Sequence, residues 1–126
     1  MYSKKYIEHF SKPKNIGDIK DPDAYVEVIN TEGGCFDTVS VFVKTKDGSI
    51  EDFKYKLKAC SGTITVFSLL SELMIGKDVE EIDSITFEMM DSELGKLPEK
   101  KHHSLRLAGD AIEKIKEQLI KNQEQK

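Results

Sequence analysis

Between residues 38 and 59 the apolar residues fall on every second position, in two successive runs. In TVSVFVKT (Thr38 to Thr45), Val39, Val41 and Val43 share one face while Ser40 and Lys44 take the other. In IEDFKYKLKAC (Ile50 to Cys60), Phe53, Tyr55, Leu57 and Ala59 alternate with Asp52, Lys54, Lys56 and Lys58. Period-two alternation is the mark of a strand with one dry and one wet face. The Asp47-Gly48 pair between the runs supplies the positive φ that a tight hairpin needs. A third run, YVEVIN (Tyr25 to Asn30), precedes them. Three antiparallel strands in chain order, charged on one side, constrain everything that follows: the rest of the chain must cover the other side.

The cover is downstream. SGTITVFSLLSELMIG (Ser61 to Gly76) is apolar around most of a helical circumference through Ile64, Val66, Phe67, Leu69, Leu70, Leu73 and Met74, with Gly76 as the stop. Leu105, Ala108, Ile112, Ile115 and Leu119 recur at three- and four-residue steps, an amphipathic helix that ends in a solvated NQEQK tail. Val79 to Leu94 reads as one or two short helices, with Ile85-Thr86-Phe87 open to an extended reading, and Gly95 to Lys101 reads as loop. At the other end, Ser3 caps a short helix that carries Ile7 and Phe10 as its apolar residues and closes at Pro13. The expectation is α+β: a three-stranded antiparallel sheet (25–59) with helices packed on one face (3–11 and 61–121), in a single domain of 126 residues.

Charge and composition exclude several classes of function. Lys and Arg number 19 against 23 Asp and Glu, a net of -4 with the signs interspersed, which argues against a nucleic-acid surface. No run approaches the roughly 20 apolar residues of a membrane span, and MYSKKYIEHFSKPKN has no apolar signal core, so a cytoplasmic protein is expected. In a reducing compartment the two cysteines, Cys35 and Cys60, are bystanders, reactive thiols or metal ligands rather than a disulfide. GGCFD is not followed by the GK[ST] of a phosphate loop, and neither GxSxG nor HExxH occurs.

The residues left to carry chemistry sit at element junctions. Cys35 follows Gly33-Gly34 in the loop before the second strand, and Asp37 projects to the same side of an extended chain. Cys60 lies where the third strand meets the buried helix, so the unpaired N–H groups and the positive end of the helix dipole favour its thiolate. His102-His103 stands before the last helix. Taken singly, each has an ordinary reading: a buried small thiol, a turn-capping aspartate, a solvated KKHHS loop. Cys35-x-Asp37 with a cysteine 25 residues later leaves metal site and structural thiols both open.

Four segments, YIEHFSKPKNIGDI, GGCFD, KLKACSGTITVFSLLSEL and LPEKKHHSLRLAGDAI, in this order over about residues 2 to 120, resemble the NifU-like scaffold proteins of iron-sulfur cluster assembly, the IscU family. His9-Phe10 with Pro13 and Asn15-x-Gly17 is a distinctive opening of that family. The resemblance implies a scaffold, not a classical enzyme. It would accept sulfur from a cysteine desulfurase, bind iron, hold a transient 2Fe-2S cluster and pass it to recipient apo-proteins. It implies a site of Cys35, Asp37, Cys60 and His103. In place of the family's third cysteine, its usual sulfur acceptor, Cys35 on its glycine-flanked loop is the candidate acceptor, and the nearby His102 is a spare ligand.

The sequence departs from the family pattern in two places. The third family cysteine is Ser104, whose hydroxyl is too basic to be a good ligand and reads instead as the N-cap of the last helix. The family's Hsp70-type chaperone segment, of the pattern LPPVK, reads LPEKK, matching at Leu97, Pro98 and Lys101 but not at Glu99 and Lys100. With two thiols, two alternatives stand beside the scaffold: a zinc-bound sulfur acceptor that stimulates a desulfurase, and a degenerate paralogue that binds partners without metal.

Overall fold

The computed structural model describes residues 2–30 and 36–124. Its elements run α1 (Lys4–Ser11), β1 (Ala24–Asn30), β2 (Asp37–Lys46), β3 (Ser49–Lys58), α2 (Ser61–Met74), a 3-10 segment (Val79–Ser84), α3 (Phe87–Glu93), a 3-10 turn (Glu99–Lys101) and α4 (His102–Glu124). The three strands form one antiparallel sheet in the order β1-β2-β3. The expected α+β architecture is what the chain adopts.

The alternation does what the sequence predicts. Val26 pairs with Val41 and Val41 with Tyr55, while Val28 pairs with Val39 and Val43 with Phe53, and all of these are buried. The hairpin turns on Asp47 and Gly48 at φ of 52° and 81°, the left-handed pair that a two-residue strand connection demands. One departure matters for the core: Lys44 pairs with Asp52 but Thr45 with Ile50, leaving Glu51 as an extra residue. That bulge lets Ile50 and Phe53, three apart, both face inward, which unbroken alternation forbids.

Both sheet edges are occupied by the chain itself. Along β1, Gln118 of α4 accepts from the Tyr25 amide at 2.8 Å and donates to the Tyr25 carbonyl at 2.5 Å. Lys114 and Asn122, one turn before and after, donate to the carbonyls of Glu27 and Asp23. A helical i, i+4, i+8 stripe thus stands in for a fourth strand and removes a template for strand addition. Asn122 therefore belongs to the docked helix, which continues through NQE, rather than to a solvated tail. On the far side Ile16 bridges Tyr55, with the Gly17 amide donating to the Tyr55 carbonyl at 2.9 Å.

The helices cover the dry face as expected, and Leu105, Ala108, Ile112, Ile115 and Leu119 are all buried. Helix α2 ends as predicted, with Gly76 at φ 90° just beyond its C-cap. Ile85 and Thr86 separate the 3-10 segment from α3, whose N-cap is the Thr86 hydroxyl.

Helix α1 reverses its expected orientation. Ser3 caps it as predicted, but Tyr6 and His9 are the buried residues, whereas Ile7 and Phe10 are 53% and 46% exposed. The reason lies in α2, which presents Ser68 and Ser71 on its buried surface. His9 Nδ1 meets Ser68 Oγ at 2.7 Å, Ser68 Oγ also accepts from the Lys14 amide at 2.8 Å, and His9 Nε2 lies 3.2 Å from Glu72. A consistent assignment has Ser68 donating to Nδ1 and the Nε2–H donating to Glu72, which is a neutral imidazole. A polar residue is at home inside when every polar atom is paired.

Burial lowers the His9 pKa, with Glu72 raising it, Lys5 and Lys14 lowering it and Glu8 raising it again. The unfolded chain binds a proton near the ordinary value of 6.5 that the folded chain resists, so this contribution is complete above pH 6.5 and declines as pH falls below it. The melting temperature should drop from pH 7 to pH 5.5. His9→Gln should be less stable by about 1 to 2 kcal/mol at neutral pH yet show a flatter pH profile in calorimetry. An unaltered profile would contradict a neutral buried imidazole.

Candidate metal centre

Three elements begin at one end of the sheet, and each places a ligand-type side chain there. Asp37 is the first residue of β2, Cys60 is the residue before α2, and His103 is the second residue of α4. Their ligand atoms all lie within 4.8 Å of one another: an Asp37 carboxylate oxygen, the Cys60 sulfur and a His103 ring nitrogen. Asp37 and His103 are buried and Cys60 is half-buried.

Hydrogen bonds orient each one. His103 Nδ1 is 3.0 Å from the Lys100 carbonyl, which can only accept, so Nδ1 carries a proton and Nε2 is turned to the centre. Nε2 lies 3.3 Å from Asp37 Oδ2 and 3.5 Å from Cys60 Sγ. Asp37 Oδ1 accepts the Cys60 amide at 2.9 Å, which leaves Oδ2 to face sulfur at 3.8 Å. Sulfur, imidazole and carboxylate therefore converge on one point, an arrangement that a shared proton or a cation must hold together.

Cys60 is poised for this. Burial pushes its thiol up, but the pull of the Thr63 amide at the helix start, the His103 ring and the Thr63 hydroxyl outweigh burial and the Asp37 charge, bringing it down to about 7. A thiol in that range is substantially thiolate at neutral pH, the form that binds soft metals and attacks sulfur. One thiolate, one imidazole and one carboxylate satisfy three positions of a tetrahedral zinc or iron site and leave a fourth open.

Of the residues singled out from the sequence, Asp37, Cys60 and His103 meet. Cys35 lies outside the described residues. His102 is turned elsewhere: its Nε2 contacts the Leu97 carbonyl at 3.0 Å and its ring meets Phe87 edge-on at 5.2 Å, so it is not positioned as a spare ligand. Ser104 does not cap α4, because it lies inside the helix, fully buried, with its hydroxyl 2.8 Å from that of Thr63. The expected solvated loop is helix from His102 onward, since the 3-10 turn before it carries the chain straight into α4.

Two residues that the sequence did not mark complete the surroundings. Thr63 donates to Asp37 Oδ2 at 2.8 Å, and Gly62 lets α4 approach, since a Cβ there would stand 3.0 Å from Ser104 Oγ. The only signal for Thr63 was its place three residues after Cys60, where a side chain on the first helical turn reaches back toward the cap.

The fold and this donor set define a small α+β domain organised around a candidate metal site at the end of its sheet. Residues 1–125 match the NifU-like N terminal domain family, and the chain belongs to that family. Relatives include iron-sulfur cluster assembly scaffold protein IscU 1 of Archaeoglobus fulgidus, 38% identical over 112 residues that span 89% of this chain and 72% of the relative. The IscU scaffold protein of Azotobacter vinelandii is 37% identical over 114 residues, 88% of each chain. Among solved structures, the N-terminal part of a nitrogen-fixing NifU-like protein from Brucella abortus shares the fold with a TM-score of 0.74, covering 94% of both chains at 23% identity.

The electrostatics generate a direct test. In a Cys35→Ala background, thiolate absorbance at 240 nm should titrate with a midpoint near the value of about 7 given by the environment of Cys60. Replacing His103 by Ala should move that midpoint upward, because the proton shared between Nε2 and sulfur, which favours the thiolate, is removed.

Proposed function

We propose that the chain is a scaffold or carrier for iron-sulfur cluster assembly, which binds iron and a nascent 2Fe-2S cluster and hands it to apo-proteins. The observation that carries this reading is the meeting of Asp37, Cys60 and His103 at one end of the sheet in a member of the NifU-like family. Cys35 would supply the second thiolate from the segment just before β2, and Phe36, 76% exposed beside it, marks this end as open to solvent and partners. Cys35, Asp37, Cys60 and His103 would then offer two soft, one borderline and one hard donor. Imidazole in place of thiolate on iron is compatible with cluster binding.

The chemistry asked of the chain is holding and transfer rather than turnover. A thiolate attacks the outer sulfur of a desulfurase persulfide, forming a new S–S bond as the desulfurase leaves as thiolate. Cys35 is the proposed acceptor, with Cys60 retained as a ligand. The partners of this reading are a cysteine desulfurase and recipient apo-proteins. An Hsp70-type chaperone would meet Pro98, Glu99 and Lys100, which are exposed, whereas Leu97 is buried and its amide donates to Asp91 at 2.7 Å. A cytoplasmic setting accords with this role, and among the described residues no helix is long and apolar enough to cross a membrane.

A second reading is favoured by the donor set itself. Thiolate, imidazole and carboxylate suit zinc at least as well as iron. A zinc-bound form would accept sulfur and stimulate a desulfurase without building a cluster.

Anaerobic reconstitution with iron, cysteine and a desulfurase distinguishes the two. Stoichiometric iron and sulfide with visible charge-transfer bands are expected, and Cys60→Ser, His103→Ala and Asp37→Ala should each lose most of the iron. Retained zinc with desulfurase stimulation and no chromophore would replace the scaffold reading with the zinc one, and the absence of either metal would remove both.

A further inference from the structure

Ser104, which the family resemblance sets at the position of a third cysteine, has surroundings that give it a definite task. Asp37 Oδ2 can only accept hydrogen bonds, so the 2.8 Å contact with Thr63 Oγ1 uses the single Thr63 proton. The Thr63 oxygen is then the acceptor in its other 2.8 Å contact, and Ser104 must be the donor. Thr63 and Ser104 are fully buried and Asp37 is 1% exposed, so none of the three has water as an alternative partner.

We infer that Thr63 and Ser104 are positioning residues: a two-hydroxyl relay, Ser104 to Thr63 to Asp37, that holds the carboxylate as a fixed ligand offering one oxygen. This rests on the metal reading of the site. Oδ1 is committed to the Cys60 amide and Oδ2 is held by Thr63, so rotating the carboxylate breaks both bonds at once. The oxygen facing Cys60 Sγ and His103 Nε2 is thereby selected in advance. Ser104 acts through Thr63 and its proton is engaged, so it is not a weak substitute for a thiolate ligand. Gly62 is part of the device, because its missing side chain leaves room for Ser104 to reach across from α4 to α2.

The relay also joins the three elements that carry the ligands. Thr63 belongs to α2, Asp37 to β2 and Ser104 to α4, so two hydroxyls set the separations among the ligand-bearing ends before any metal arrives. Partners of this kind around metal ligands affect affinity by about 10- to 100-fold when removed.

The test compares wild type with Thr63→Val, Thr63→Ser, Ser104→Ala and the double variant Thr63→Val/Ser104→Ala. The double variant leaves no buried hydroxyl without a partner, and so stays informative if Thr63→Val alone does not fold. Zinc affinity is measured anaerobically by chelator competition, and Cys60 amide hydrogen exchange is measured in the metal-free protein. Thr63→Val and the double variant should bind zinc about tenfold or more weakly and exchange the Cys60 amide faster, while Thr63→Ser restores both. Ser104→Ala should show a smaller loss in the same direction. A folded double variant with wild-type affinity and wild-type Cys60 exchange overturns the relay. Wild-type protein that binds no zinc or iron, with Cys60 exchange still dependent on the Thr63 hydroxyl, upholds the relay and overturns the metal reading instead.

Discussion

The buried carboxylate of Asp37 is the constraint around which this end of the molecule is arranged. A carboxylate that is 1% exposed is untenable unless its oxygens are satisfied, and here one takes the Cys60 amide and the other the Thr63 hydroxyl. Those bonds fix where α2 starts relative to β2, and the adjacent imidazole of His103, with Ser104 behind it, fixes where α4 starts. The stabilisation and the candidate chemistry are therefore the same set of contacts. A cation drawn to Oδ2, Sγ and Nε2 would replace a proton in an arrangement already built to hold positive charge.

Helix α2 can serve as both core and platform because it is buried on two sides by different means. Val66, Phe67, Leu69 and Leu70 are buried in the apolar core shared with the sheet, while Thr63, Ser68 and Ser71 provide hydroxyls to Asp37, to His9 and to the segment around Lys14 and Asn15. The same helix thus locks the N-terminal helix at one place and the candidate metal site at another. Buried hydroxyls specify geometry in a way that aliphatic packing does not, since each has few partners and a direction.

Much of the fold was legible from the chain because it depends on periodicity. The alternation at Val39, Val41 and Val43 and again at Phe53, Tyr55 and Leu57 specified strands and their inner face, and the spacing of Leu105 to Leu119 specified α4. What escaped depends on pairs of residues distant in sequence. Hydropathy ranks Ile7 and Phe10 above His9 as interior residues, and only the hydroxyl of Ser68, 59 positions away, makes His9 the buried one. The closure of the β1 edge by Lys114, Gln118 and Asn122 is equally invisible in a sequence, where these read as solvated polar positions on a helix.

By itself the sequence determined the α+β architecture, the strand faces, the family resemblance and the residue types available as ligands. Local rules of alternation, capping and helical spacing need no knowledge of the partner surface. The tertiary structure alone decided that Asp37, Cys60 and His103 share a point while His102, next in the chain to His103, does not. Successive residues on a helix point about 100° apart, so the docking of α4 determines which of the two imidazoles faces the site. The same docking placed Ser104 beside Thr63 instead of at a helix cap, because Gly62 allows α2 and α4 to begin within hydroxyl reach of each other.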